Sequence, residues 1–95
     1  MSAYVLADNI VHDRNTFDEY RGLVGPTVLA HGGKYLVRGA PAETVEGSWV
    51  PNGLVVIEFE SEESARQWYE SSEYAAIKGL RQDSASSSLI IVDGV

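Results

Sequence analysis

Apolar and polar positions along this chain alternate, change period, and alternate again in a regular succession. In residues 3–12, AYVLADNIVH, Val5, Ala7 and Val11 lie on one parity and Tyr4, Leu6 and Ile10 on the other. Period-two alternation with apolar residues on both sides predicts a strand at least partly covered on both faces, interrupted by Asp8 and Asn9. The period then lengthens: Phe17, Tyr20, Val24 and Val28 recur at spacings of three and four, the stripe of an amphipathic helix. Asp13 suits the N-cap, and Thr16-Phe17-Asp18-Glu19 offers a second, capping-box start. Gly25-Pro26 predicts a kink or a restart, and Gly32-Gly33 a stop with one glycine in a left-handed cap.

Residues 34–39, KYLVRG, read as a second strand. Residues 40–53 carry Pro41, Gly47, Pro51, Asn52 and Gly53, which predicts a long hairpin connection or flap holding Trp49. Residues 54–60, LVVIEFE, form a third strand. Ser61 caps a helix with Glu62 and Glu63 in its first turn, where the helix dipole favours carboxylates. Ala65, Trp68 and Tyr69 face inward on it. Ser71-Ser72 interrupts, a second segment carries Tyr74, Ile77 and Leu80 on its apolar side, and residues 88–93, SLIIVD, close the series as a strand.

The order β-α-β-β-α-β is the ferredoxin-like arrangement: an α+β single domain over residues 1–95, one four-stranded antiparallel sheet with its helices on one face. The other face then needs explaining. In the third strand Val55, Ile57 and Phe59 share one parity, and Leu54, Val56 and Glu58 the other. If the first set packs on the helices, apolar residues of the second remain uncovered, as does Leu36 beside Lys34 and Arg38. An uncovered apolar sheet face calls for a partner, and a second copy about a two-fold axis is the simplest one. Ninety-five residues without a cysteine point the same way. So short a chain buries only about 60–70% of its unfolded surface and has no disulfide to help.

Charge narrows the function classes. Seven basic residues against fourteen acidic ones give −7, which opposes binding to a phosphate backbone and disfavours nucleic acid as a partner. No apolar run reaches the roughly 18 residues of a membrane span, and no basic segment leads into an apolar one at the start, so a cytoplasmic setting without membrane contact is expected. With no cysteine there is no thiol nucleophile. Two histidines 19 residues apart give no metal-ligand spacing, no GxGxxG or Lys-Ser/Thr follows the glycine pair, and no serine elbow occurs. No metal and no cofactor are expected.

The blocks GGKYLVRG (32–39), EGSW (46–49), EFESEESARQWYESSEY (58–74) and IKGLR (77–81), together with DRNTFDEYR (13–21), resemble the DUF1330 family over essentially the whole chain. Where that family usually has an aromatic before the glycine pair and a proline later, this sequence has His31 and Ser72. The resemblance implies membership of the dimeric α/β-barrel superfamily: two ferredoxin-like protomers closing into a barrel, with a cavity between sheet and helices or inside the barrel. The superfamily includes monooxygenases, haem enzymes, lyases, cyclases and regulatory ligand-binding domains, so fold alone does not select a reaction.

The chemistry-bearing residues each have two readings. Arg38 and Glu58, placed by parity on the barrel face of neighbouring strands, form either a structural ion pair or a site in which Arg38 anchors a substrate carboxylate and Glu58 acts as a base. His31, at a helix C-terminus beside the glycine pair, is a capping residue or a proton shuttle near neutral pH. Tyr20 and Tyr74 are core aromatics or hydrogen-bond donors to a ligand, and Trp68 is a core residue or part of a binding wall. Asp8 and Asn9 interrupt an apolar strand and either find internal partners or line a pocket. His12 reads as structural, and Arg21 and Arg81 as solvated or ion-paired. Three functions follow: a cofactor-independent enzyme doing proton-transfer chemistry on a small organic acid or polyketide-like carbonyl compound, of isomerase, cyclase, lyase or oxygenase type; a non-catalytic dimeric ligand-binding or stress-associated module; or a structural dimer.

Overall fold

A computed structural model describes residues 2–95. Its elements are β1 (Ala3–Val11), α1 (Arg14–Ala30), β2 (Lys34–Ala40), β3 (Leu54–Phe59), α2 (Glu62–Tyr69), α3 (Ser72–Ser84) and β4 (Ala85–Asp93). The sheet order is β2-β3-β1-β4, with every neighbour antiparallel, as the ferredoxin-like topology requires. No helix among the described residues is long and apolar enough to cross a membrane.

The helix boundaries follow from their caps. Asp13 accepts from the Thr16 backbone N–H (3.3 Å) and hydroxyl (2.8 Å), so the earlier of the two possible starts is the one used. The hydrogen bonds to Thr16 hold the Asp13 carboxyl below its ordinary pKa. Pro26 lies inside α1 without ending it, contrary to the restart that Gly25-Pro26 suggests. Gly32 ends the helix at φ +76°, and Gly33 returns its N–H to Val28 O at 2.9 Å. Ser61 caps α2, and Ser71 caps α3 through the Tyr74 N–H at 3.1 Å, which is the interruption expected there.

The stripe Phe17, Tyr20, Val24 and Val28 is buried throughout, and it meets Val5, Ile57 and Phe59 from the sheet and Ala65, Trp68 and Tyr74 from α2 and α3. Trp68 sits centrally, with ring centroids 4.4 Å from Tyr74 and 5.7 Å from Phe59. Aromatics this large supply much of the burial that so small a core can reach. β4 begins at Ala85, three residues before the expected 88–93. The serines at 86–88 look like a loop by composition, but pairing with Ile10, Asn9 and Asp8 of β1 draws them into the ladder.

Two further expectations change at β2. Strict alternation would put Arg38 on the same face of the sheet as Glu58. Instead Tyr35 pairs with Ile57, Val37 with Val56 and Arg38 with Val55, so Leu36 is an extra residue in a bulge. The insertion reverses parity, and Arg38 lands on the helix side with Val55. Lys34, not Arg38, stands opposite Glu58 on the open face. The proposed Arg38–Glu58 pair therefore does not form. The centre of the open face is apolar, as parity predicts: Leu6, Val56 and Val37 are half-buried there, with Leu36, Ile90 and Val92 exposed around them and Asp8, Ser86 and Ser88 toward one end.

Candidate functional site

α1 does not lie flush on the sheet. A cavity of about 370 Å³ remains between them, bounded by β1, α1, β2, β3 and the inner faces of α2, α3 and β4. That is a size suited to a small organic molecule. Val5, Val24, Val55, Ile57 and Leu89 give it apolar walls, and Trp68 closes part of its depth. Trp68 is held there by Nε1–H donation to Thr27 Oγ1 (3.0 Å), whose own hydroxyl donates to Val24 O.

Its charged lining is one-sided. Four of the chain's five arginines, Arg14, Arg21, Arg38 and Arg81, border the cavity, and none of the fourteen carboxylates does. Arg14, Arg21 and Arg38 are exposed and form the rim. Arg14 reaches toward Asp18 at 3.9 Å, outside the cavity and largely exposed, a pair of little energetic weight. Arg38 donates through Nη2 to Arg21 O at 2.8 Å and lies 4.4 Å above the Tyr35 ring, so its place over the mouth is fixed. Burial raises the pKa of the Tyr35 hydroxyl, against the opposing pull of Arg38.

Arg81 differs from the rim arginines: only 6% of it is exposed. The expectation of a solvated or ion-paired residue fails, because no carboxylate lies within salt-bridge distance among the described residues. Its Nε–H donates to Tyr74 Oη at 3.1 Å, and Tyr74 Oη lies 2.9 Å from Tyr20 Oη. Burial works against the charge on Arg81, but Tyr74, with Tyr20 and Tyr69, together more than offset it and the net shift is upward, so the guanidinium stays protonated. Tyr20 is shifted strongly upward, first by burial and then by Tyr74, and remains a neutral phenol at any physiological pH.

The other residues singled out by sequence divide. Asn9 lines the cavity, 5% exposed, and accepts from Ser87 Oγ at 2.6 Å. Its neighbour Asp8 points to the open face and ties down the flap instead, accepting from Trp49 Nε1 (2.9 Å) and the Asn52 N–H (2.8 Å). His31 caps α1 by donating Nδ1–H to Thr27 O at 3.0 Å, and it does not border the cavity. Glu58 is on the open face, also away from it. The structure thus gathers Tyr20, Arg38, Asn9 and Trp68 and leaves His31, Glu58 and Asp8 outside. Arg81 was missed as a site residue, although its spacing of seven from Tyr74 and four from Ile77 places it on the inward stripe of its helix.

The family model described as a domain of unknown function, DUF1330, matches residues 2–95. No curated protein matches the sequence. Among solved structures, the RPA0582 protein of unknown function from Rhodopseudomonas palustris superposes with a TM-score of 0.79 at 17% identity, over 99% of this chain and 82% of that one. SnoaB, a cofactor-independent oxygenase from Streptomyces nogalater, gives 0.66 at 10% identity, over 99% and 93%. A putative antibiotic biosynthesis monooxygenase from Caulobacter crescentus gives 0.64 at 15% identity, over 99% and 90%. At these identities the likeness is one of fold.

Proposed function

This chain belongs to the DUF1330 family, and we propose that it takes a small organic anion with an apolar body into the cavity between its sheet and helices, working as a homodimer. One observation carries the reading: in a chain of net charge −7, the cavity is bordered by four arginines and no carboxylate. Elsewhere on the molecule acidic groups predominate, so this arrangement concentrates positive potential where an organic acid enters. Arg38 is the rim group suited to a carboxylate, since its stacking on Tyr35 leaves a guanidinium edge for bidentate contact. The dimer rests on the apolar open face, where Leu36, Ile90 and Val92 await cover.

Turnover of the bound anion without a cofactor is the second reading. The fold-level likeness to a cofactor-independent oxygenase favours it. With His31 and Glu58 outside the cavity, the lining offers no imidazole or carboxylate to take a proton. Such chemistry then suits a substrate that ionises readily by itself, its enolate or phenolate stabilised by the arginines and Tyr20.

The binding reading is tested by NMR titration with 4-methylbenzoate and with p-xylene, which replaces the carboxylate by a methyl group. The anion binds at least tenfold tighter, and Arg38→Gln removes much of that preference. Equal affinities for the two probes overturn the proposal.

A further inference from the structure

We propose that Arg81, Tyr74 and Tyr20 form a one-way hydrogen-bond chain that delivers the Tyr20 hydroxyl proton, beside the Arg81 guanidinium, to an anionic oxygen of the ligand deep in the cavity. The proposal rests on the reading of the cavity as an anion site and specifies how that site is built.

The direction follows from donor accounting. The Arg81 guanidinium has only donors, so Tyr74 Oη must accept from Nε. Tyr74 is fully buried and does not border the cavity. Its own O–H has one acceptor in reach, Tyr20 Oη at 2.9 Å. The reverse arrangement, with Tyr20 donating, would leave the Tyr74 proton enclosed without a partner, at a cost of about 1–3 kcal/mol. Tyr20 Oη therefore accepts, and its proton must turn elsewhere. Tyr20 borders the cavity, so the proton is available there.

Arg81 points the same way. It is more than nine-tenths buried, yet its two terminal nitrogens have no hydrogen-bond partner among the described residues. Among the described residues no fully enclosed side-chain polar atom is left unpartnered, so those nitrogens meet open space rather than packed atoms. Arg81 is a wall of the main cavity and also of a shallower recess beside Tyr69 and Ser87. A buried cation without a counter-ion is costly, and a ligand carboxylate or enolate supplies the missing charge. The chain also polarises Tyr20, since each donor in it is strengthened by the cation behind it. Rim arginines would then select for charge at entry, and the Tyr20–Arg81 pair would fix which atom of the ligand carries it.

The test uses Tyr20→Phe, Tyr74→Phe and the same two probes. Tyr20→Phe weakens 4-methylbenzoate about tenfold or more, the usual size of a hydrogen bond to a charged group, and leaves p-xylene within about twofold. Tyr74→Phe, which touches no ligand, lowers only the affinity for the anion, a split that loss of packing alone would not produce. If the unmodified protein prefers the anion but Tyr20→Phe does not alter that preference, the hydrogen-bond chain is overturned and the anion site stands. If the unmodified protein has no preference, both fall. Should Tyr20→Phe not fold, tyrosine labelled at 13Cζ answers the question in the unmodified protein. The Tyr20 signal shifts with 4-methylbenzoate and not with p-xylene, and an unmoved signal under saturating anion refutes the chain.

Discussion

Gly33 is the position at which a single added methyl group does most to the core. A Cβ built there would lie 2.6 Å from Val28 Cγ1 and 2.8 Å from both Cε1 and Cζ of Phe59. Neither neighbour is a loose end: Val28 is fully buried and Phe59 is 1% exposed. The backbone cannot easily retreat either, because the Gly33 N–H is bonded to Val28 O. Overpacking in a tight core costs about 1–3 kcal/mol, and three simultaneous overlaps with fixed partners place Gly33→Ala at the upper end, about 3 kcal/mol. For a domain of this size that lowers Tm by roughly 12–24 °C. The contrast is Gly22→Ala, on an exposed turn of α1 with nothing within 4 Å, where alanine stabilises by about 0.5–1 kcal/mol. Urea unfolding of both variants at one protein concentration, with the m-value compared to the parent, gives the answer. A Gly33→Ala midpoint indistinguishable from the parent would show that the α1–β2 corner is looser than its packing implies, and would refute the overpacking argument.

The flap, the dimer face and the buried tyrosine give three more expectations. Asp8→Ala removes the two side-chain acceptors that hold the 41–53 connection and leaves only the backbone bond from Asn9 N–H to Asn52 O, so Trp49 emission shifts to the red and limited proteolysis cuts that segment faster; unchanged proteolysis refutes the latch. Sedimentation at micromolar concentration shows a dimer, and Val56→Lys, at the centre of the open face, yields monomer; a monomeric parent would refute the partner-covered sheet. Because Tyr20 is shifted upward on folding, the folded state keeps a proton that the unfolded chain releases near pH 10, so stability falls as pH rises above about 10. Urea midpoints at pH 9 and 11 measure the fall, which Tyr20→Phe reduces.

The sequence displays the faces of this fold more openly than its site. Period-three-and-four spacing identified Phe17, Tyr20, Val24 and Val28, and period-two alternation identified Ile57 and Phe59, because burial acts on every residue of an element and leaves a repeating mark. The bulge at Leu36 leaves no such mark. One additional residue in KYLVRG changes no composition and no propensity, yet it reverses the side on which Arg38 emerges. Asp8 and Asn9, adjacent in one strand, had to take opposite faces, so one of them was bound to lie on the helix side. Register alone decided that Asn9 borders the cavity while Asp8 holds the flap. Arg81 was hidden by its residue type, since an arginine on a helix is ordinarily solvated. Its position on the apolar stripe is the available signal, and it runs against the solvation that a charged residue type implies.

The bulge at Leu36 also bears on how this protein can diverge. Most changes of ligand preference arise by exchanging one side chain for another. Here a slip of β2 by one residue beyond Tyr35, bringing Leu36 opposite Val56 and so absorbing the bulge, would carry Arg38 through the sheet, stripping a cation from the cavity mouth and setting it on the face that a second copy would cover. Deleting Leu36 itself would leave Val37 opposite Val56 and Arg38 opposite Val55, as they are now. The slip would alter recognition and assembly together with the strand no shorter. Relatives whose β2 keeps this length but runs without the bulge are therefore where a different ligand charge should be sought first.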